Sequence, residues 1–136
     1  MKIKLDPWGI TPTRAHDTDA GLDIYSPITE VIQPFSSGIF HTGVHVQLPP
    51  GTVGIMASKS GLNVKHGITS TGVIDEGYSG ELVVKLYNHT DKGYMVAFGD
   101  KITQLLVLPV RYEPIEIVDE IEAGERGDSG FGSTGK

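Results

Sequence analysis

Glycine and proline interrupt this chain so often that a long helix has no room to form. Its 136 residues include 18 glycines and 8 prolines, and an apolar period near 3.6 never lasts three turns. Short apolar or alternating runs lie between the breaks, at residues 22–25, 44–48, 53–57, 82–87, 95–98, 102–110 and 115–121. Val44-His45-Val46-Gln47-Leu48 alternates as a half-buried strand does, and Leu105-Leu106-Val107-Leu108 reads as a strand buried on both faces. Turn signals separate the runs: Pro49-Pro50-Gly51, residues 88–93 and Gly99-Asp100. The one helix-like stretch covers residues 58–64, where Ser58 or Ser60 can cap a single turn. Many short strands joined by regular turns predict an all-β sandwich, jelly roll or barrel.

There is no internal repeat and no linker before about residue 123. After Ala123 the composition turns to glycine, serine and charge. The expected organisation is therefore a β domain over residues 1–122 and a flexible C-terminal arm over 123–136, ordered only by a ligand or a neighbouring subunit.

Charge and composition exclude several classes. A formal net charge of −6 lacks the cationic field that non-specific nucleic-acid binding needs. A phosphorylated ligand would have to be held locally, by backbone N–H groups, a few cations and a metal ion. Cysteine is absent, which removes disulfides and thiolate chemistry. No apolar run is long enough to cross a bilayer and no charged-then-apolar leader is present. The expectation is a soluble, unexported protein with no membrane partner, and a cytoplasmic home fits.

Four interior stretches carry polar groups in apolar surroundings. TDAGLDIYS (18–26) puts Asp23 inside a strand, where by itself it reads as a strand-edge carboxylate facing water. ASKSGLNVKHG (57–67) places Lys59, Ser60 and Gly61 before a short turn. TGVIDEGYSGE (71–81) sets Asp75 at a strand end entering a turn, with Tyr78 between Gly77 and Gly80. An acid and an aromatic ring at such a lip can hold a sugar and a water. GDKITQL (99–105) opens a strand in which Gln104 needs a hydrogen-bond partner. The tail, ERGDSGFGSTGK (125–136), imitates three other motifs. Its P-loop likeness fails for want of a Ser or Thr after Lys136 and a helix beyond. Its Gly-Asp-Ser-Gly run sits in a chain too short for a two-barrel protease, and Arg126-Gly127-Asp128 is a coincidental tripeptide. The five histidines (16, 41, 45, 66 and 89) form no helical ligand pair, and read as surface or packed side chains, with His41 and His45 four apart on strand and turn rather than helix.

Taken in order, AGLDIYS, SKSGL, GVIDEGYSGE, GDKITQLLVLPV and RGDSGFGSTG resemble the five motifs of the homotrimeric all-β dUTPases, across residues 20–135. The resemblance implies a jelly roll that trimerises, with active sites at subunit interfaces. It implies Mg²⁺-dependent hydrolysis of dUTP to dUMP and pyrophosphate, limiting uracil entry into DNA and supplying dUMP for thymidylate synthesis. By that resemblance Asp75 activates the water and meets the 3′-hydroxyl, Tyr78 lies under the deoxyribose, and Asp23 reaches the metal through water. Ser60, Gly61 and Gln104 contact phosphates, and backbone groups around residues 68–73, with Gly72 and Ile74, hold the uracil. On the arm, Arg126, Ser133 and Thr134, beside Gly132, meet the γ-phosphate, and Phe131 stacks on the base, so that the arm closes as a lid. Lys59 departs from the family's usual Arg, keeping the charge and losing the two-pronged fork. The rival readings are a dCTP deaminase on the same fold, which needs a glutamate acid/base, a trimer that serves a regulatory protein partner, and a β-rich structural protein.

Overall fold

The computed structural model describes residues 1–127. Nine strands and one short helix follow one another as β1 (Lys2–Leu5), β2 (Leu22–Tyr25), β3 (Glu30–Ile32), β4 (Ser37–Gln47), β5 (Thr52–Ala57), α1 (Ser60–His66), β6 (Ile68–Ile74), β7 (Glu81–Asn88), β8 (Tyr94–Val96) and β9 (Lys101–Pro109). Seven strands form one curled sheet in the order β1-β4-β7-β6-β5-β9-β2, and β3 with β8 makes a separate pair. The all-β expectation holds.

The sheet turns its corner at β6. The first half of that strand, Ile68–Ser70, pairs with Asn88–Leu86 of β7. Its second half, Thr71–Ile74, pairs instead with Ala57–Gly54 of β5. One strand thus serves two ladders, and the two arms of the sheet close on a single core. Phe40, Val44 and Val46 of β4 and Leu82, Val84 and Leu86 of β7 meet Ile24, Met56, Ile102 and Leu105 from the other arm. Along β7 burial alternates residue by residue, the period-2 pattern of a strand with one face in a core.

Four details differ from the sequence expectations. Residues 115–121 form no strand. Their alternation of isoleucine with acid is strand-like, but no edge of this chain pairs with it, and Ile115 and Ile117 are 93% and 95% exposed. Strand β9 is buried on both faces only at its start, with Ile102 at 1% and Thr103 at 0%, and opens toward its end, with Leu108 at 44%. His41 and His45 both lie on β4, on either side of its register shift. The single helix does form, but Lys59 is its N-cap and no side chain caps it. Ser58 is used elsewhere: its hydroxyl donates to Ser70 O and accepts from Ser70 N, both at 2.9 Å, tying the start of α1 to β6.

Candidate active site

Because β6 leaves β7 after Ser70, a wedge opens between them. Thr71, Gly72, Val73 and Ile74 line one wall, and Glu81, Val83 and Lys85 of β7 line the other. Met56 is part of the lining, and Asp75 and Tyr78 stand at the hairpin end. The cleft holds about 300 Å³, at the small end of the range for ligand clefts and suited to a nucleoside-sized group. Backbone N–H and C=O groups on the β7 side of Thr71–Ile74 lie outside the β6–β7 ladder, so this wall offers polar backbone to a ligand.

The hairpin that carries Asp75 and Tyr78 is pinned at several points. Tyr78 N donates to Asp75 O at 3.0 Å. Tyr78 Oη donates to Glu81 O at 2.8 Å, which lays the ring along the hairpin. Glu81 is held in turn by Gly43 N and by His41 Nδ1, each at 2.8 Å. Burial alone would raise its pKa, but those two hydrogen bonds outweigh it and hold the carboxyl below the ordinary value. Glu76, beside Asp75, accepts from Tyr112 Oη at 2.6 Å and from Gly51 N at 2.9 Å, and its pKa is lowered by the same two bonds. Asp75 is exposed at the mouth of the cleft, where a carboxylate can reach a bound water.

A second cluster forms where β2, β5 and β9 lie side by side. Gln104 pairs in register with both Ala57 and Asp23, and its Nε2 donates to Ser58 O at 3.1 Å, the partner its position demanded. Gly21 is needed here for close approach, since a Cβ at that position would stand 3.0 Å from Gln104 Cδ. Asp23 does not face water: it is 4% exposed. Lys59 Nζ donates to its Oδ1, and Lys101 Nζ donates to its Oδ2 at 2.8 Å. Burial pushes the Asp23 carboxyl up, and the Lys101 and Lys59 ammoniums outweigh that push and hold it below the ordinary range. Ser60 and Gly61 sit exposed just after Lys59.

The wedge thus gathers Gly72, Ile74, Asp75 and Tyr78, and the second cluster gathers Asp23, Lys59 and Gln104 with Ser60 and Gly61 alongside. Arg126 is among the described residues, while Phe131, Gly132, Ser133 and Thr134 fall outside them. Lys101 stands inside the GDKITQ stretch and had no assigned role; a charge at a strand start reads as solvated until its partner is known. A second cleft, of about 350 Å³, is lined by Phe35, Ser36, Ser37, Tyr87, Asn88 and His89. It has no carboxylate, so the chemistry points to the wedge. Among the described residues no three histidines or carboxylates come together to hold a metal ion, and both oxygens of Asp23 are met by lysine ammoniums. That arrangement fits an Mg²⁺ ion that arrives on phosphates and keeps most of its waters, rather than one caged by protein. Among the described residues no helix is long and apolar enough to cross a membrane.

A family model described as dUTPase matches residues 8–135. The deoxyuridine 5'-triphosphate nucleotidohydrolase of Clostridium kluyveri is 42% identical over 135 residues, covering 97% of this chain and 94% of its own length. Among solved structures, the Staphylococcus bacteriophage 80alpha dUTPase bound to dUPNHPP superposes with a TM-score of 0.91 at 32% identity, over 99% of this chain and 98% of its own. That phage enzyme is described as controlling transfer of virulence genes. A mutant of the dUTPase from phage phi11 of S. aureus superposes with a TM-score of 0.81 at 30% identity, over 89% of this chain and 97% of its own, and coordinates a structural Mg(II) ion. With the family model spanning nearly all of its length, the chain belongs to the dUTPase family of hydrolases.

Proposed function

We propose that this protein hydrolyses dUTP to dUMP and pyrophosphate by attack of water on the α-phosphorus. The observation that carries the reading is that Asp75 and Tyr78 share one cleft whose wall is the unpaired side of a strand. The backbone of Thr71–Ile74 offers alternating donors and acceptors, the pattern needed to hold a uracil edge. A slot bounded by fixed backbone also leaves no space for a thymine methyl. Tyr78 places its ring under the sugar, where a ribose 2′-hydroxyl would collide. Asp75 accepts a hydrogen bond from the hydrolytic water and takes up its proton as the new P–O bond forms and the bond to the pyrophosphate oxygen breaks.

The phosphates fall to the second cluster. Ser60, Gly61 and Gln104 hold them in this reading, with Lys59 and Arg126 supplying charge. Mg²⁺ carried on the triphosphate would neutralise charge on the leaving group, and Asp23 would face it through water. Residues 123–136 would fold over the filled site, Phe131 covering the base and Gly132, Ser133 and Thr134 approaching the γ-phosphate. The reaction lowers the dUTP available to DNA synthesis and supplies dUMP to thymidylate formation.

The two clusters belong together only if subunits share them. Thr71, Ala57, Gln104 and Asp23 face one another across four adjacent strands. Asp23 therefore lies about 14 Å from Thr71 across the sheet, and Asp75 about 13 Å from Thr71 along β6. A trimer in which the wedge of one subunit faces the lysine cluster of another brings the halves together. The exposed apolar side chains of Tyr112, Ile115, Ile117 and Ile121 supply surface for such an assembly. Pyrophosphate release from dUTP, dTTP, dCTP and UTP, with and without Mg²⁺, tests the reading. It predicts a rate on dUTP far above the others; comparable rates on all four, or deamination of dCTP, would overturn it.

A further inference from the structure

One buried carboxylate, Asp23, is shared by two ammoniums, with Asp19 also acting on Lys101. It is met on one oxygen by Lys59 and on the other by Lys101. In a chain with a net charge of −6, an ammonium beside exposed Ser60 and Gly61 is a local attraction for a polyanion once it leaves Asp23.

The two lysines stand on different backbone. Lys101 is the first residue of β9, and its Cα pairs in register with Tyr25 on β2, two residues from Asp23. Lys59 lies between β5 and α1, outside any ladder. A buried carboxylate cannot lose all its cations, since stranding an unpaired charge costs far more than either pair contributes. Lys59 can therefore leave Asp23 only while Lys101 stays.

We infer that Lys101 is a positioning residue for triphosphate binding: it remains on Asp23 Oδ2 and so frees Lys59 to pass from Oδ1 to the phosphates of the incoming nucleotide. This rests on the dUTP reading and deepens it, since it assigns the anion-binding charge to an exchange between two partners rather than to an idle side chain. Lys59 stands where a forked guanidinium is usual in the family, and it keeps the charge on a flexible stem.

Calorimetric titration with α,β-imido-dUTP in Mg²⁺, and separately with dUMP, tests the inference without turnover. Lys101→Met should raise the imido-dUTP dissociation constant by about tenfold or more, the loss expected when one hydrogen bond between charged groups is withheld. The dUMP constant should change by less than about twofold, and Lys101→Arg should restore the triphosphate affinity. In an Asp23→Asn background no buried charge needs a partner, so the same Lys101→Met change should add less than about twofold. That double variant also answers the case in which Lys101→Met alone does not fold. Equal weakening of imido-dUTP and dUMP, no weakening of either, or an undiminished effect in the Asp23→Asn background would each overturn the inference while leaving the dUTP reading intact. A wild-type protein that binds neither nucleotide would overturn that reading itself.

Discussion

The Tyr78 ring occupies the space a side chain on Gly80 would take: a Cβ there would stand 2.5 Å from Tyr78 Cζ and 2.9 Å from Cε2. Because Tyr78 Oη is also bonded to Glu81 O, the ring cannot slide away without losing that bond. Gly80→Ala should therefore swing the ring off its place and cost the protein about 1 kcal/mol, the usual worth of the hydrogen bond to Glu81 that is lost. The expected kinetic result is a reduced preference for dUTP over UTP, measured as the ratio of the two kcat/KM values.

His45 ties the same hairpin to the first strand. Its Nε2 lies 3.1 Å from Asp6 Oδ2 and its Nδ1 lies 3.1 Å from Ser79 O. The Asp6 carboxylate, and then the Ser79 carbonyl, raise the imidazole pKa above its ordinary 6.5. A raised pKa means the folded state binds the proton more tightly than the unfolded one. The stabilisation is thus complete below about pH 6.5 and is lost as pH rises through the folded value. Denaturant midpoints across pH 5.5–9 should fall through that window in the wild type, and His45→Gln should flatten this part of the profile.

Lys59→Arg restores the fork that the family usually carries. A guanidinium can bind a phosphate with two parallel bonds, so KM for dUTP should fall, by roughly fivefold if the gain is near 1 kcal/mol. Steady-state kinetics that show KM and kcat unchanged would remove the assigned role of position 59 in gripping phosphate.

Among the described residues, none beyond β9 joins the sheet or the core cluster. Truncation after Ala123 should therefore leave the thermal unfolding midpoint within a few degrees of the full chain. It should cut kcat sharply, because the groups assigned to closing the site lie in the removed segment. A truncated protein with full kcat would contradict the arm's role.

Much of this was legible in the sequence, and what was not has physical causes. The β2 run at 22–25 appeared with its observed ends because turn residues bound it on both sides. Asp75 and Tyr78 were legible because a hairpin keeps its chemistry within a few residues. Asp23 misled: an acid in a four-residue strand looks solvated until Lys59 and Lys101, 36 and 78 positions away, close on it. Alternation at 115–121 likewise signals a strand but cannot say which edge it would join. The wedge itself was invisible, since it depends on β6 changing partners after Ser70, a matter of register between strands rather than of residue type.

The central claim is that Asp75 acts on the water and not on nucleotide affinity. Asp75→Asn keeps the size and hydrogen-bonding reach of the side chain and removes its basicity. Single-turnover hydrolysis of dUTP and titration with α,β-imido-dUTP, performed on the same preparation, separate the two roles. The account predicts hydrolysis slowed by at least about a hundredfold with the dissociation constant within about threefold of wild type. Retained hydrolysis, or a loss of rate matched by an equal loss of binding, would contradict it.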